Sequence, residues 1–138
     1  MAGIAEADLE EVEPGAPDLV ITRLACSLRG EEQEVHIVPG THAAAAYGVE
    51  RSVEKFTCRF GVNEAYRDRL FGGDLRVSGT DAEGNVRMAE SATHPFFMGT
   101  LFMPQMSSEP GRPHPLITAF VKAASELAGK EKRAPWLG

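Results

Sequence analysis

The chain has 138 residues, 43% of them hydrophobic and 25% charged, and its net charge is −6. These values indicate one globular domain with a core of useful size. They argue against nucleic acid as a partner, because phosphate contacts need clustered cations. No apolar run approaches the length of a membrane span, and the acidic start lacks the basic and apolar regions of a secretory signal.

The first half of the chain predicts an acidic tail followed by strands. Residues 1–17 contain little to bury, so we expect a tail or a frayed helix there. Strand-like runs follow at 18–28 and 34–38. Thr41 is placed to cap a short helix that Gly48 would end.

The second half predicts further strands and a hairpin. Residues 52–63 are rich in β-branched and aromatic side chains and predict one strand, whereas 64–72 predict one or two helical turns. The clearest hairpin joins 75–78 to 86–88 through an Asp-Ala-Glu-Gly-Asn turn. Residues 96–103 are almost continuously apolar, as in a central strand covered on both faces.

One long amphipathic helix closes the predicted fold, from Pro115 to an expected end at Gly129. The predicted domain covers 18–129, between the N-terminal tail 1–17 and a C-terminal tail 130–138. Because one helix cannot cover both faces of a central strand, we expect either an α+β domain or the later half of a larger α/β sheet. In the second alternative the other cover is either missing or provided by a partner. The apolar stripe of the helix consists of Leu116, Ile117, Phe120, Val121, Ala124 and Leu127.

Most residues that could take part in catalysis or metal binding also have a simpler structural interpretation. His94 and His114 both precede proline, where an imidazole usually satisfies local backbone groups. His36 and His42 are expected to be solvated. The spacing of the cysteines and histidines matches no metal-ligand pattern, so neither a metal nor another cofactor is predicted. Without an export signal, the cysteines predict reduced thiols in a cytoplasmic protein.

Cys58 is the strongest candidate nucleophile. It lies in the stretch EKFTCRFG, next to Arg59 and three residues after Lys55. Nearby cations favour the thiolate, which is the nucleophilic form of cysteine. The alternative is a small apolar residue packed in the core. Cys26 has the same two interpretations. Whether the two thiols are close enough to pair is left open by the sequence.

Four stretches, in order, resemble the C-terminal part of the class I glutamine amidotransferase domain of CTP synthase. They are VPGTHAAAAYG, VEKFTCRFGVN, the hairpin sequence LRVSGTDAEGNVRMAES, and TLFMPQMSS followed by HPLITAF. The chain is still more similar to stand-alone CTP synthase C-terminal region-related proteins, which share Cys58 and the pattern LFMPQ. The resemblance implies an α/β fold with a flavodoxin-like sheet, antiparallel hairpin strands and one long C-terminal helix.

The resemblance also implies a glutaminase site in which two catalytic residues are replaced. In these amidotransferases a histidine takes the proton of a cysteine thiol and a glutamate orients that histidine; the matching positions here are Met103 and Gln105. A thioether is no base at neutral pH, and an amide does not stabilise an imidazolium as a carboxylate does. The substrate's carboxylate would be held by Arg59, with Phe60 beside it. The nucleophile of the family belongs to a preceding half that has no counterpart in this chain.

Three hypotheses follow for function. The chain is a non-hydrolysing half-domain or subunit that forms a homo-oligomer or pairs with a separately encoded N-terminal half domain. Alternatively, it is an enzyme that uses Cys58 as nucleophile or acid, with Glu54 or Glu109 as acid/base group, on a small carboxylate or amide metabolite. A third possibility is a fragment of a longer domain. In the enzymatic alternative the substrate-binding residues would be Arg59, Phe60, Met103 and Gln105.

Overall fold

The computed structural model describes residues 2–133, with side chains through residue 130. This part of the chain folds into two β-sheets and three α-helices. Short 3₁₀ turns lie at Glu64–Tyr66 and Pro104–Ser107. Within it, no helix is both long and apolar enough to cross a membrane. The elements in chain order are β1 (Ala7–Leu9), β2 (Asp18–Arg23), β3 (Glu32–Ile37), α1 (His42–Tyr47), β4 (Arg51–Lys55), β5 (Phe60–Val62), α2 (Arg67–Phe71), β6 (Leu75–Thr80), β7 (Val86–Ser91), β8 (Met98–Thr100) and α3 (Pro115–Arg133).

The larger sheet has five antiparallel strands in the order β4-β3-β6-β7-β8. The smaller has the order β1-β2-β5, with β1 parallel and β5 antiparallel to β2. The α/β class, the β6–β7 hairpin and the single long C-terminal helix are thereby confirmed. Antiparallel neighbours joined by short turns explain why the hairpin could be predicted from local sequence.

Helix α1 is fixed at both ends as its sequence predicts. The Thr41 hydroxyl accepts a hydrogen bond from the Ala44 backbone N–H at 3.0 Å, and Gly48 adopts the left-handed conformation with φ 67°. The fully buried Glu90 carboxylate on β7 also accepts from the backbone N–H groups of the first two helical residues, at 2.8 and 2.9 Å. This contact attaches α1 to the larger sheet.

The core lies between the two helices α1 and α3 and the larger sheet. Phe56 and Phe102 meet edge to face with ring centroids 5.8 Å apart, and both are almost completely buried. Their backbones form an isolated β-bridge, so the residues after β4 and after β8 are held side by side. The remaining buried members of the core cluster are Leu28, Val35, Ile37, Ala43, Met88 and Leu116.

Two strand predictions are wrong in detail. The expected strand 52–63 is broken, because residues 56–59 leave the larger sheet and β5 joins the smaller one. The expected central strand 96–103 is reduced to β8, which pairs only with β7 at the edge of the sheet. Its apolar residues are used differently: Phe96 packs against Phe120 of α3, while Phe102 turns into the core. An apolar run alone does not distinguish these arrangements.

Both ends of the domain also differ from the expected secondary structure. Ala7–Leu9, in the predicted tail, forms β1 and pairs in parallel with β2. Helix α3 continues through Gly129 to Arg133, since one glycine costs a helix only about 1 kcal/mol and good helix formers flank it. The domain limits 18–129 stay a prediction, and residues 134–138 of the predicted C-terminal tail lie outside the described residues.

Candidate functional site

Cys58 and Arg59, in the segment that joins β4 to β5, line a surface cavity of about 460 Å³. Their backbone carbonyls accept hydrogen bonds from the N–H groups of Leu28 and Leu24, at 3.1 and 2.8 Å. The segment that follows β2 therefore fixes the wall of the cavity, although Cys58 itself lies outside a regular strand. The cavity is lined by Glu11, Arg29, Thr57, Cys58, Arg59 and Phe60.

The cavity combines a thiol with two guanidinium groups, from Arg29 and Arg59, and one carboxylate, from Glu11. Cys58 is half-buried, whereas Cys26 is exposed, and both thiols are free. The guanidinium of Arg23 stacks over the Phe60 ring, 5.3 Å from its centroid, and thereby orients one side of the cavity. Guanidinium groups bind carboxylates well, so the arrangement can hold a small anion beside the thiol.

Met103 and Gln105 lie at the 3₁₀ turn that follows β8. The Met103 backbone N–H donates to the Lys55 carbonyl at 2.9 Å, which places the turn against the end of β4. The Gln105 amide nitrogen lies 3.9 Å from the Met103 sulfur. The two side chains thus contact each other, and neither can take up a proton at neutral pH.

Glu54 occupies a different position: it lies on β4 and is fully buried, with its carboxylate facing His114 at the start of α3. Its Oε1 accepts hydrogen bonds from the hydroxyls of Tyr47 and Ser52, at 2.7 and 2.9 Å. The His114 Nε2 lies 3.0 Å from Oε1 and 3.1 Å from Oε2. Glu54 does not line the cavity of Cys58, so the two predicted catalytic residues are not brought together.

The hydrogen bonds to the Glu54 carboxylate favour its charged form. Burial alone would raise the pKa of Glu54, but hydrogen bonds from His114, Tyr47 and Ser52 outweigh burial and lower that pKa. Burial and the bond to Glu54 raise the pKa of Tyr47. The His114 Nδ1 accepts from the Leu116 backbone N–H at 3.2 Å, which leaves the ring proton on Nε2, facing the carboxylate.

The structure therefore distributes the predicted site residues over three places: the cavity of Cys58, Arg59 and Phe60, the turn of Met103 and Gln105, and the buried Glu54. Sequence reasoning missed Arg29 and Glu11, which reach the cavity from distant segments and carried no local signal. Glu109, on the loop before α3, is exposed and pairs with Arg112. Among the residues described, no cluster of three or more His, Cys, Asp or Glu could hold a metal ion.

Comparison of sequences relates the chain to CTP synthases. It is 37% identical to CTP synthase of Carboxydothermus hydrogenoformans over 139 residues, which include 90% of this chain and 25% of the relative. It is 40% identical to CTP synthase of Rubrobacter xylanophilus over 137 residues, again 25% of the relative. The chain thus spans about a quarter of the length of these curated relatives. No model of a known protein family matches it.

Comparison of structures locates the similarity. The glutaminase domain of Trypanosoma brucei CTP synthase with bound acivicin superposes with a TM-score of 0.83 at 26% identity, covering 91% of this chain and 53% of that one. A Thermoplasma acidophilum protein described as part of GMP synthase superposes with a TM-score of 0.61 at 13% identity, covering 82% of this chain and 52% of that one, and shares the fold.

Proposed function

The chain is related in sequence and fold to the glutaminase domain of CTP synthase, and from this premise we propose that it is an amidotransferase-like module that does not hydrolyse glutamine and that pairs with another chain. The observation that carries the proposal is the turn after β8. Met103 and Gln105 stand there, at the positions where the resemblance expects the histidine and glutamate of a catalytic triad.

The chemistry of this turn is incompatible with the usual mechanism. A cysteine nucleophile needs a neighbouring base to take its proton and return it to the leaving group. The thioether of Met103 performs neither step, and the amide of Gln105 carries no charge to stabilise a protonated base. Where a triad would have two side chains that transfer and stabilise a proton, Met103 and Gln105 are two uncharged side chains in contact.

Pairing is supported by the outer surface of α3. Three apolar side chains on this helix are more than half exposed, with Phe120 at 56%, Val121 at 59% and Leu127 at 51%. Exposed apolar side chains grouped on one helix are typical of an interface. The chain also matches only 53% of the superposed glutaminase chain, so a second chain could supply the remainder of the fold. A homo-oligomer is the other form of pairing that fits.

The test uses the N-terminal half of the glutaminase domain of the Carboxydothermus CTP synthase as a partner. We expect this chain to form a 1:1 complex with it, measured by light scattering after size exclusion, and the complex to release no ammonia from glutamine. The double variant Met103→His, Gln105→Glu should gain measurable hydrolysis in the same complex. Hydrolysis by the unmodified complex would overturn the proposal. A chain that remains monomeric both alone and in the mixture would contradict pairing.

A second candidate function is an enzyme that uses Cys58 on a small carboxylate or amide metabolite, and the cavity shared with Arg29 and Arg59 favours it. This alternative requires Cys58 to react with iodoacetamide at pH 7 faster than the more exposed Cys26. It also requires Cys58→Ala to remove turnover without unfolding the chain. If Cys26 reacts faster and Cys58→Ala mainly destabilises the fold, Cys58 is a packing residue. Both candidate functions include a cytoplasmic location, where the thiols would be reduced.

A further inference from the structure

A cavity of about 590 Å³ lies beside the N-terminal segment and shares no lining residue with the cavity of Cys58. The segment that leads into β1 forms one wall, and the others come from the end of α2, the start of β6 and the loop between β7 and β8. A cavity of this size with mainly apolar walls and a few polar groups is typical of small-molecule sites. The apolar residues that line it include Ile4, Ala7, Leu70, Leu75, Pro95 and Phe97.

The Asp74 carboxylate lies at the wall of this cavity and is open to solvent. The Ser91 hydroxyl donates to its Oδ2 at 2.7 Å. The hydroxyl and the backbone N–H of Thr93 donate to its Oδ1, at 2.7 and 3.0 Å. Ser91 and Thr93 line the same cavity. The carboxylate is therefore held in one orientation, and because a carboxylate oxygen accepts two hydrogen bonds, Oδ2 can accept another from a ligand.

The charge at the cavity wall is negative. Among the described residues that line it, Asp74 is the one acidic residue, and none is a lysine or an arginine. No Lys, Arg or His side chain in the described part of the chain forms an ion pair with Asp74. The hydrogen bonds from Ser91 and Thr93 lower the pKa of Asp74, so the carboxylate is ionised at neutral pH. The cavity therefore favours a cation and disfavours an anion.

Apolar side chains lie close to this carboxylate. Ser91 connects the two, because its hydroxyl donates to Asp74 while its backbone N–H donates to the Phe97 carbonyl at 3.1 Å. Leu75, the residue after Asp74, is paired with Ser91 across β6 and β7. Phe97 is 44% exposed although it lines the cavity, so its ring has apolar surface that a ligand could cover. Since Asp74, Leu75 and Phe97 all adjoin Ser91, one small ligand can reach the carboxylate and the apolar wall together.

We propose that this cavity binds a small primary amine with an apolar alkyl or aryl body. The ammonium group donates to the Asp74 carboxylate, a charge-assisted hydrogen bond that is stronger than a neutral one. The body packs against Leu75 and Phe97, which removes apolar surface from water. The site is separate from the cavity of Cys58, and it rests neither on pairing with another chain nor on glutamine chemistry. No bond is made or broken in it, so it is a binding site and not a second catalytic centre.

The probe is 2-phenylethylamine, and 2-phenylethanol is its neutral isostere. The backbone N–H resonance of Thr93, which donates to Asp74, is followed by NMR on ¹⁵N-labelled protein. The charge of the chain's own amino terminus also acts on Asp74, more weakly than the hydrogen bonds do. Titration at pH 8.5 reduces that competition, because an α-amino group has a pKa of about 7.7–8.0, whereas the probe stays protonated. We expect a saturable shift with a dissociation constant on the order of a millimolar, and binding of 2-phenylethanol at least about tenfold weaker.

The variant Asp74→Asn keeps the size of the side chain but removes its charge, and should weaken binding of 2-phenylethylamine by about tenfold or more. Asp68→Asn is the matched control, because Asp68 lies on α2, is exposed and does not line the cavity; its affinity should be unchanged. No Thr93 shift with 2-phenylethylamine, or equal affinity for 2-phenylethanol, overturns the proposal. The comparison of the two probes uses the unmodified chain, so it decides even if Asp74→Asn fails to fold.

Discussion

The Nε2 of His114 lies 3.0 and 3.1 Å from the two carboxylate oxygens of Glu54, although the residues are 60 positions apart in the sequence. This contact joins the start of α3 to β4. The acceptor role of His114 Nδ1 toward Leu116 aims the ring proton at the carboxylate. A carboxylate without solvent contact is thereby held by hydrogen bonds from three side chains, and the arrangement explains how a charged residue is tolerated in the core.

Stability should fall in acid, partly because of Glu54. Its pKa is lowered in the folded state, so the unfolded chain, where a glutamate has a pKa of about 4.3, takes up the proton first. The contribution is complete above about pH 4.3 and is lost as the pH falls through the folded-state pKa. Glu54→Gln should be less stable at pH 7 by about 1–3 kcal/mol, and the difference should narrow below pH 4. Urea unfolding between pH 3 and 7 measures this; a constant difference would contradict it.

Tyr47→Phe should destabilise the fold by about 1–2 kcal/mol, because it removes a 2.7 Å hydrogen bond to a buried carboxylate. Tyr66→Phe is the matched control. Its hydroxyl donates to the Asp18 carboxylate at a similar distance, 2.8 Å, but in a half-buried setting where solvent can replace the bond. Thermal unfolding of both variants compares the two environments. Equal losses would mean that the burial of Glu54 does not strengthen the bond.

Asp81→Ala should destabilise the fold by about 3–5 kcal/mol, since it leaves the charge of Arg87 buried and unpaired. The pKa of Asp81 is lowered: burial opposes this, but the hydrogen bonds from Asn85 and the neighbouring Arg87 outweigh it. Glu83→Ala, in the same turn but exposed, should change stability by less than about 0.5 kcal/mol. Urea unfolding at pH 7 distinguishes them, and a similar small loss in both would disprove the role given to the buried pair.

The double variant Val121→Ser, Leu127→Ser should leave the free energy of unfolding within about 0.5–1 kcal/mol, because both side chains are more than half exposed. It should nevertheless abolish the association proposed for α3. Light scattering of the variant alone and with the partner half domain measures this. Loss of folding would mean that these residues belong to the core of the chain itself, and unchanged association would place the interface elsewhere.

The sequence by itself determined the features that depend on neighbouring residues. The caps of α1, the turn of the β6–β7 hairpin and the apolar stripe of α3 are each readable within a few positions, because helix and strand periodicity is local. The prediction that Met103 and Gln105 stand where the resemblance expects a histidine and a glutamate also needed only the sequence, because it rests on the spacing of the motifs.

Only the tertiary structure decided which side chains face the core. On β4 the alternation is the reverse of what hydrophobicity predicts: Val53 is 60% exposed and Glu54 is fully buried. Either face of a strand can be turned toward the core. The hydrogen-bond donors that favour the observed orientation of β4 belong to Tyr47 and His114, which lie before and after β4 in the sequence. The sequence likewise did not predict that Arg29 lines the cavity of Cys58, because a contact between distant segments leaves no periodic signal in either of them.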